Sequence, residues 1–299
     1  MNKPFSLFNI ELTNHCIMKC VMCPRTGHMT RAKGYMDPAL FQKAIDELAS
    51  TGSGFSGSNV LWLHHFGESL LHPGFGSCIR YASAANIRTG LSINPFMLTP
   101  EVRTELLEAH PDILYISLDG HDNSTFAEIR GMQDAYDVSR ERLLEFLSEK
   151  TRRGTATVII LSMIDFVLNR TSIVKTHEYW EGVPGINCVL LKSFTTWDGS
   201  IDRIKGYADT GGRTTDMSSV RCTIPWDTMT VTWDGDVVPC CFDYDKKYVL
   251  GNMVRSSLSE IWNDKPITRL RNEFISNTVS NSLCRNCERL YLPKESIAW

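Results

Sequence analysis

Residues 5–23 read FSLFNIELTNHCIMKCVMC, an apolar strand-like run over 5–12 that leads straight into Cys16, Cys20 and Cys23. Thiols packed this closely behind a strand place metal chemistry at its C-terminal end. Three thiolates can hold a four-iron cluster and leave one iron without a protein ligand, and an open iron is where a substrate or cofactor can bind. The competing reading is zinc, which needs a fourth ligand that His15 or His28 could supply.

Further strand-like runs follow at about 59–64, 90–94, 113–118, 155–162 and 186–192, with helical patterns at 37–49, 74–86, 100–109, 135–149 and 168–181 between them. The first helix is the clearest, with Asp37 as cap, Pro38 in the first turn, and Leu40, Phe41, Ile45 and Leu48 on one face. Alternating strands and helices imply a parallel sheet, and six such strands can curve into a partial (β/α)6 barrel. In this α/β scheme Cys16 follows strand one, Glu68 strand two, Asn94 ends strand three, Ser117 and Asp119 strand four, and Lys192 strand six. That end of a barrel is where active sites are built.

The pattern changes after residue 205, so two domains are expected, 1–205 and 206–299. GYADTGGRTTD reads as a linker or ordered loop. TMTVTWDGDVVPC reads as a hairpin turning at Asp234-Gly235, and SLSEIWND as a short helix capped by Ser257 or Ser259. The second domain is thus a small, cysteine-rich α+β unit. It carries Cys222, the adjacent Cys240 and Cys241, and Cys284-Arg285-Asn286-Cys287. Cys222, Cys240, Cys284 and Cys287 form the preferred four-thiolate set, with Cys241 in reserve; alone, such a set suits zinc as well as iron and sulfur.

Composition narrows the function classes. A net charge of −3 with dispersed Lys and Arg offers no bulk attraction for nucleic acid or a membrane surface. No run approaches the roughly 20 apolar residues of a membrane span. MNKPFSLFNIEL lacks a signal-peptide pattern, and seven of the ten cysteines fall into the two metal-like groups, so a reducing cytoplasm is expected.

Cys16-x3-Cys20-x2-Cys23 resembles the cluster-binding motif of the radical S-adenosylmethionine (SAM) superfamily. The run Cys222-x12-Gly235-x4-Cys240, then GNMVRSSLSEIWN and Cys284-x2-Cys287, is similar to the SPASM/twitch auxiliary domain, in its shorter form with one cluster. The resemblance implies two [4Fe–4S] clusters, SAM bound through its methionine part, and a flavodoxin- or ferredoxin-like electron donor. Phe66-Gly67-Glu68 resembles the family's Gly-Gly-Glu segment, with Phe66 in place of a glycine, where the glutamate meets the methionine amine. Asn94 resembles the asparagine closing strand three, with Pro95 where relatives carry glycine. Ser117-Leu118-Asp119 resembles the strand-four motif near the ribose or methionine part, and Arg130-Gly131 an Arg-Gly that holds the methionine carboxylate.

The implied reaction is reductive cleavage of SAM to a 5′-deoxyadenosyl radical that abstracts a substrate hydrogen, the protein setting distance and excluding quenchers. Similarity to twitch dehydrogenases and epimerases points to oxidation of an alcohol in an aminocyclitol or sugar-like natural-product intermediate. Lys192, Asp227 and Asp243 are candidate proton or substrate partners. An epimerase would instead return a hydrogen atom from a cysteine, for which Cys241 is the strongest candidate beside Cys78 and Cys188. A ribosomal-peptide-modifying enzyme is a further alternative, although the barrel begins within about ten residues of Met1, leaving no room there for a recognition domain. An iron–sulfur electron carrier without enzymatic activity is opposed by the strand-end polar set. His64 and His65 stand at the end of strand two, and alternation along it predicts that at most one of them faces the barrel; Trp62 and Phe66 read as core or wall.

Overall fold

The computed structural model describes residues 5–51, 60–171, 173–208 and 220–291. Strand and helix alternate through the first two thirds: β1 (Leu7–Ile10), α1 (Pro38–Thr51), β2 (Leu61–Trp62), α2 (Phe75–Ala84), β3 (Thr89–Ile93), α3 (Pro100–Ala109), β4 (Ile113–Ser117), α4 (Asn123–Arg130), α5 (Ala135–Arg153), β5 (Val158–Asp165), α6 (Ile173–Glu181) and β6 (Cys188–Ser193). Then come α7 (Asp202–Lys205), α8 (Ile224–Asp227), β7 (Met229–Val231), β8 (Asp236–Val238), β9 (Gly251–Asn252), α9 (Leu258–Asn263) and α10 (Lys265–Ile275). The expected linker lies mostly outside the described residues.

β1 to β6 pair in parallel with their sequence neighbours, which is the expected partial barrel. Parallel strands buried on both faces need continuous apolar runs, and β1, β4 and β5 supply them in Leu7, Ile10, Leu114, Ile116, Ile159 and Leu161, all essentially inaccessible. The Asp37 carboxylate accepts from Ala39 N at 2.8 Å, capping α1 as its sequence suggests. Ser257 caps α9 in a reciprocal capping box with Glu260.

Three features go beyond the sequence reading. β7 pairs in parallel with β1, Leu7 against Met229 and Ile10 against Val231, so the cysteine-rich part extends the barrel sheet and gives the order β6-β5-β4-β3-β2-β1-β7-β8-β9. α4 forms between β4 and α5, opened by the Asp122 carboxylate on Thr125 N (2.7 Å) and closed by Gly131 in the left-handed region. α10 buries Ile267, Leu270 and Phe274, a helical spacing present in the sequence but passed over. β2 is also shorter than expected. Its assigned pairing ends at Trp62, Leu63 N still donates to Gly90 O at 2.8 Å, and the chain bends over residues 65–67 beside His64 and His65.

Candidate active site

The C-terminal ends of β1 to β6 open on a cavity of about 320 Å³. Cys16, Cys20 and Cys23 reach it from the loop after β1, whose path is held by α4: Lys19 N and Val21 N donate to Arg130 O (3.0 Å) and Ile129 O (2.9 Å). Burial, then Glu68 and Cys20, push Cys16 up to about 11, and burial with Cys20 and Cys16 pushes Cys23 up to about 12. Thiols that resist ionisation beside one another suit a cationic iron core, which relieves that mutual repulsion. His15 takes no part; its ring stacks on Tyr35 with centroids 4.7 Å apart.

Glu68 stands on the same wall, buried, and accepts from Asn94 N (2.8 Å) and Leu70 N (3.3 Å). Burial raises its pKa to about 7 against the pull of those two donors. Gly67 lets the segment lie against the β1 loop: an added Cβ would sit 2.0 Å from the Thr13 carbonyl oxygen. The Phe66 ring packs against Trp197 and Tyr244, with centroids 4.9 and 5.9 Å away. Asn94 accepts from Phe96 N at 2.8 Å, while its buried Nδ2 has no protein partner.

Arg130 and Asp119, both read as cofactor residues, are partners of one another. The guanidinium donates to Asp119 Oδ2 and, at 3.5 Å, to Cys20 Sγ; Asp119 Oδ1 accepts from Ile164 N at 2.7 Å. Asp119 therefore lies behind the wall, whereas Arg130 lines the cavity and keeps a buried Nε without a partner. Ser117 lines it too, 3.3 Å from Ser92 Oγ.

Both His64 and His65 line the cavity, contrary to the alternation argument, because β2 ends at Trp62. His64 Nδ1 accepts from Ser92 N at 3.1 Å, and burial, with Lys192 and His65 nearby, lowers its pKa to about 3. It is a neutral imidazole with the proton on Nε2. His65 instead lies 3.5 Å from Glu11 and 2.8 Å from the Cys241 carbonyl oxygen. Lys192 closes the far wall with Nζ 4.2 Å over the Tyr115 ring, and burial lowers its pKa to about 8.

A second, smaller cavity of about 30 Å³ is lined by Cys222, Cys240, Cys284 and Cys287. Cys222 N and Arg221 N donate to Leu290 O at 3.0 and 2.8 Å, which joins the two ends of the cysteine-rich part. Burial and the adjacent thiols raise Cys240, Cys284 and Cys287 well above an ordinary thiol. Cys241 does not face this cavity. It lines the large one. Asp227 joins neither wall; it ends α8 and accepts from Thr223 Oγ1 at 2.7 Å. Asp243 is fully buried and accepts from Lys247 N and Tyr248 N at 2.6 and 2.9 Å. Among the described residues, no three His, Cys, Asp or Glu side chains surround a single-ion position.

Sequence reasoning missed Glu11 and Arg31. Glu11 is fully buried below the cavity floor, where Arg31 holds its carboxyl far below the usual carboxylate range despite burial. A charged residue in an otherwise apolar strand was the available signal.

A parallel partial barrel with three thiols beside its strand ends, and four more around a small cavity of the appended part, defines a class of cofactor-dependent enzymes. The chain belongs to the radical SAM superfamily, whose model matches residues 10–176; residues 222–288 match that of an iron–sulfur cluster-binding domain, SPASM. It is similar to a tungsten-containing aldehyde ferredoxin oxidoreductase cofactor-modifying protein of Pyrococcus furiosus, at 24% identity over 93% of this chain and 86% of that one. It is also similar to the SAM-dependent 2-deoxy-scyllo-inosamine dehydrogenase of Niallia circulans, at 22% identity over 99% and 97%. Among solved structures, BtrN with AdoMet and 2-DOIA superposes with a TM-score of 0.61 at 20% identity, covering 96% of this chain and 94% of that one. Native anSMEcpe with bound AdoMet gives a TM-score of 0.67 at 15% identity, covering 96% and 88%. These superpositions show the fold. SAM and iron–sulfur chemistry come with the family, and among the described residues no helix is long and apolar enough to cross a membrane.

Proposed function

We propose that this enzyme removes two electrons from an alcohol of an aminocyclitol or sugar-like substrate. The observation that carries the reading is a single cavity joining the Cys16, Cys20 and Cys23 loop to Glu68, Asn94, Ser117 and Arg130 on one side and to Lys192 on the other. In this reading residues 1–205 form the radical domain and 206–299 the auxiliary one. Cys16, Cys20 and Cys23 hold one [4Fe–4S] cluster, and Cys222, Cys240, Cys284 and Cys287 hold a second. Held there, the first cluster with SAM would supply hydrogen-atom abstraction, and the second would supply a one-electron acceptor.

The chain's own residues do the rest. Glu68 holds the methionine ammonium, and the free Asn94 Nδ2 and Arg130 Nε are donors for its carboxylate and ribose side. Arg130 is kept cationic and in place by Asp119. Ser117, paired with Ser92, offers a hydroxyl to the same ligand. Phe66 and Trp62 exclude water. His64 Nε2–H donates to a substrate oxygen, and Lys192, whose pKa burial lowers to about 8, accepts the hydroxyl proton in its neutral amine form. Similarity to the inosamine dehydrogenase supports the substrate class. A small flavodoxin or ferredoxin is the expected reductant.

Anaerobic incubation with SAM, reductant and pools of sugars, aminocyclitols and peptides tests the reading. A product two hydrogens lighter, formed in step with 5′-deoxyadenosine, is expected from the polyol pools; product from the peptide pool alone would overturn it. One observation favours a second reading, epimerisation: Cys241 lines the substrate cavity rather than the thiol cavity. Unchanged substrate mass with one solvent hydrogen, abolished in Cys241→Ser, would select it.

A further inference from the structure

Phe242 and Arg289 each line both cavities. Arg289 sits in a 3-10 turn, Glu288–Tyr291, directly after Cys287, and its guanidinium carbon lies 5.5 Å from the Phe242 ring centroid. The turn is anchored on both sides: Glu288 accepts from Thr195 Oγ1 and Thr196 N, each at 3.3 Å, and Leu290 O accepts from Cys222 N. Around the four thiols the wall is otherwise apolar, with Ile224, Pro225, Leu270, Phe274 and Leu283, and Arg289 is the one charged side chain among the described residues that line it.

A half-buried cation in an otherwise apolar wall acts on nearby charge with less screening than one in open water. Reduction of a cluster adds one electron and neither makes nor breaks a bond, so the charge beside it is a direct control on its potential. We infer that Arg289 sets the reduction potential of the auxiliary cluster, holding the reduced form more stable than the apolar pocket alone would. It does this from the partition that faces the substrate cavity. The inference rests on reading Cys222, Cys240, Cys284 and Cys287 as cluster ligands.

The test is an anaerobic redox titration followed by electron paramagnetic resonance, in a chain whose Cys16, Cys20 and Cys23 are all alanine so that only the auxiliary cluster reports. Arg289→Gln is expected to lower the reduced-to-oxidised ratio at fixed potential at least tenfold, which for one electron is about 59 mV. Arg289→Lys is expected to stay within about threefold, since the charge is kept. An intact cluster with an unchanged potential in Arg289→Gln overturns the inference alone. A folded chain lacking about four irons and four sulfides overturns the ligand assignment, and the inference with it.

Discussion

Arg31 clasps Glu11 with two parallel hydrogen bonds, Nη1 to Oε2 and Nη2 to Oε1, each 2.6 Å long, with both side chains buried. Glu11 directly follows β1, Arg31 lies in the return of the cysteine loop, and the same carboxylate accepts from Phe66 N at 3.2 Å and Trp233 N at 3.3 Å. One ion pair therefore joins the three-cysteine loop, the Phe66-Gly67-Glu68 segment and the hairpin of the auxiliary part. Arg31 Nε adds a bond to Tyr244 O at 2.7 Å.

Removing one partner of such a pair leaves a buried charge. Arg31→Met is expected to cost about 3–5 kcal/mol of stability, measured by urea unfolding of the cluster-free chain. The contribution has a defined pH window. Glu11 is held far below its unfolded value of 4.5, so its stabilisation is complete above that value and is lost only as pH falls well below it.

Glu68 titrates near 7 in the folded chain, so its carboxylate is half-formed at neutral pH. SAM affinity is expected to rise as pH increases through 7, because the carboxylate that meets the ammonium becomes charged. Glu68→Gln should weaken binding by about tenfold or more and flatten that rise, consistent with a charged hydrogen bond of about 1.5–3 kcal/mol. Isothermal titration across pH 6–8 checks both.

His64 remains neutral in the fold with a pKa near 3, whereas in the unfolded chain it takes a proton near 6.5. Stability attributable to this site is present above pH 6.5 and falls as pH drops toward 3, by up to about 1.4 kcal/mol per pH unit. His64→Phe should remove that slope. Lys192→Met should raise the His64 pKa, since the lysine's charge is one of the terms lowering it, and imidazole resonances followed by NMR read this directly.

If Lys192 accepts the substrate proton, kcat/KM has an ascending limb near pH 8. Lys192→Met is expected to lose that limb together with at least 100-fold of rate, the order of general-base assistance. SAM binding should be unchanged. A Lys192→Met chain that retains the limb would assign it to another group.

Cys240 faces the thiol cavity and its neighbour Cys241 the substrate cavity. Cys240→Ser is therefore expected to cut iron content from about eight to about four per chain, while Cys241→Ser keeps about eight. Iron and sulfide assays on anaerobically reconstituted protein distinguish the two.

Much of this site is local in sequence and was legible there. Cys16, Cys20 and Cys23 share one loop, Asn94 and Ser117 sit at or just past strand ends, and strand periodicity placed those ends on one face. The partnership of Arg130 with Asp119 was not legible, because a charged residue's spacing does not say whether its charge meets a ligand or a neighbour. The histidines were misjudged for a related reason. Alternation holds only while the strand lasts, and β2 lasts two residues.

By itself the sequence determined the alternating strands and helices, the three-thiol loop and the existence of a second thiol group, since each is written in residues close together along the chain. Only the tertiary structure decided that β7 docks on β1, that Cys240 and Cys241 face different cavities, and that Arg289 and Phe242 stand between them. Those relations join residues up to about 220 positions apart, as in the pairing of Leu7 with Met229. They follow from which apolar surfaces bury one another, a property of the packed whole that no local pattern contains.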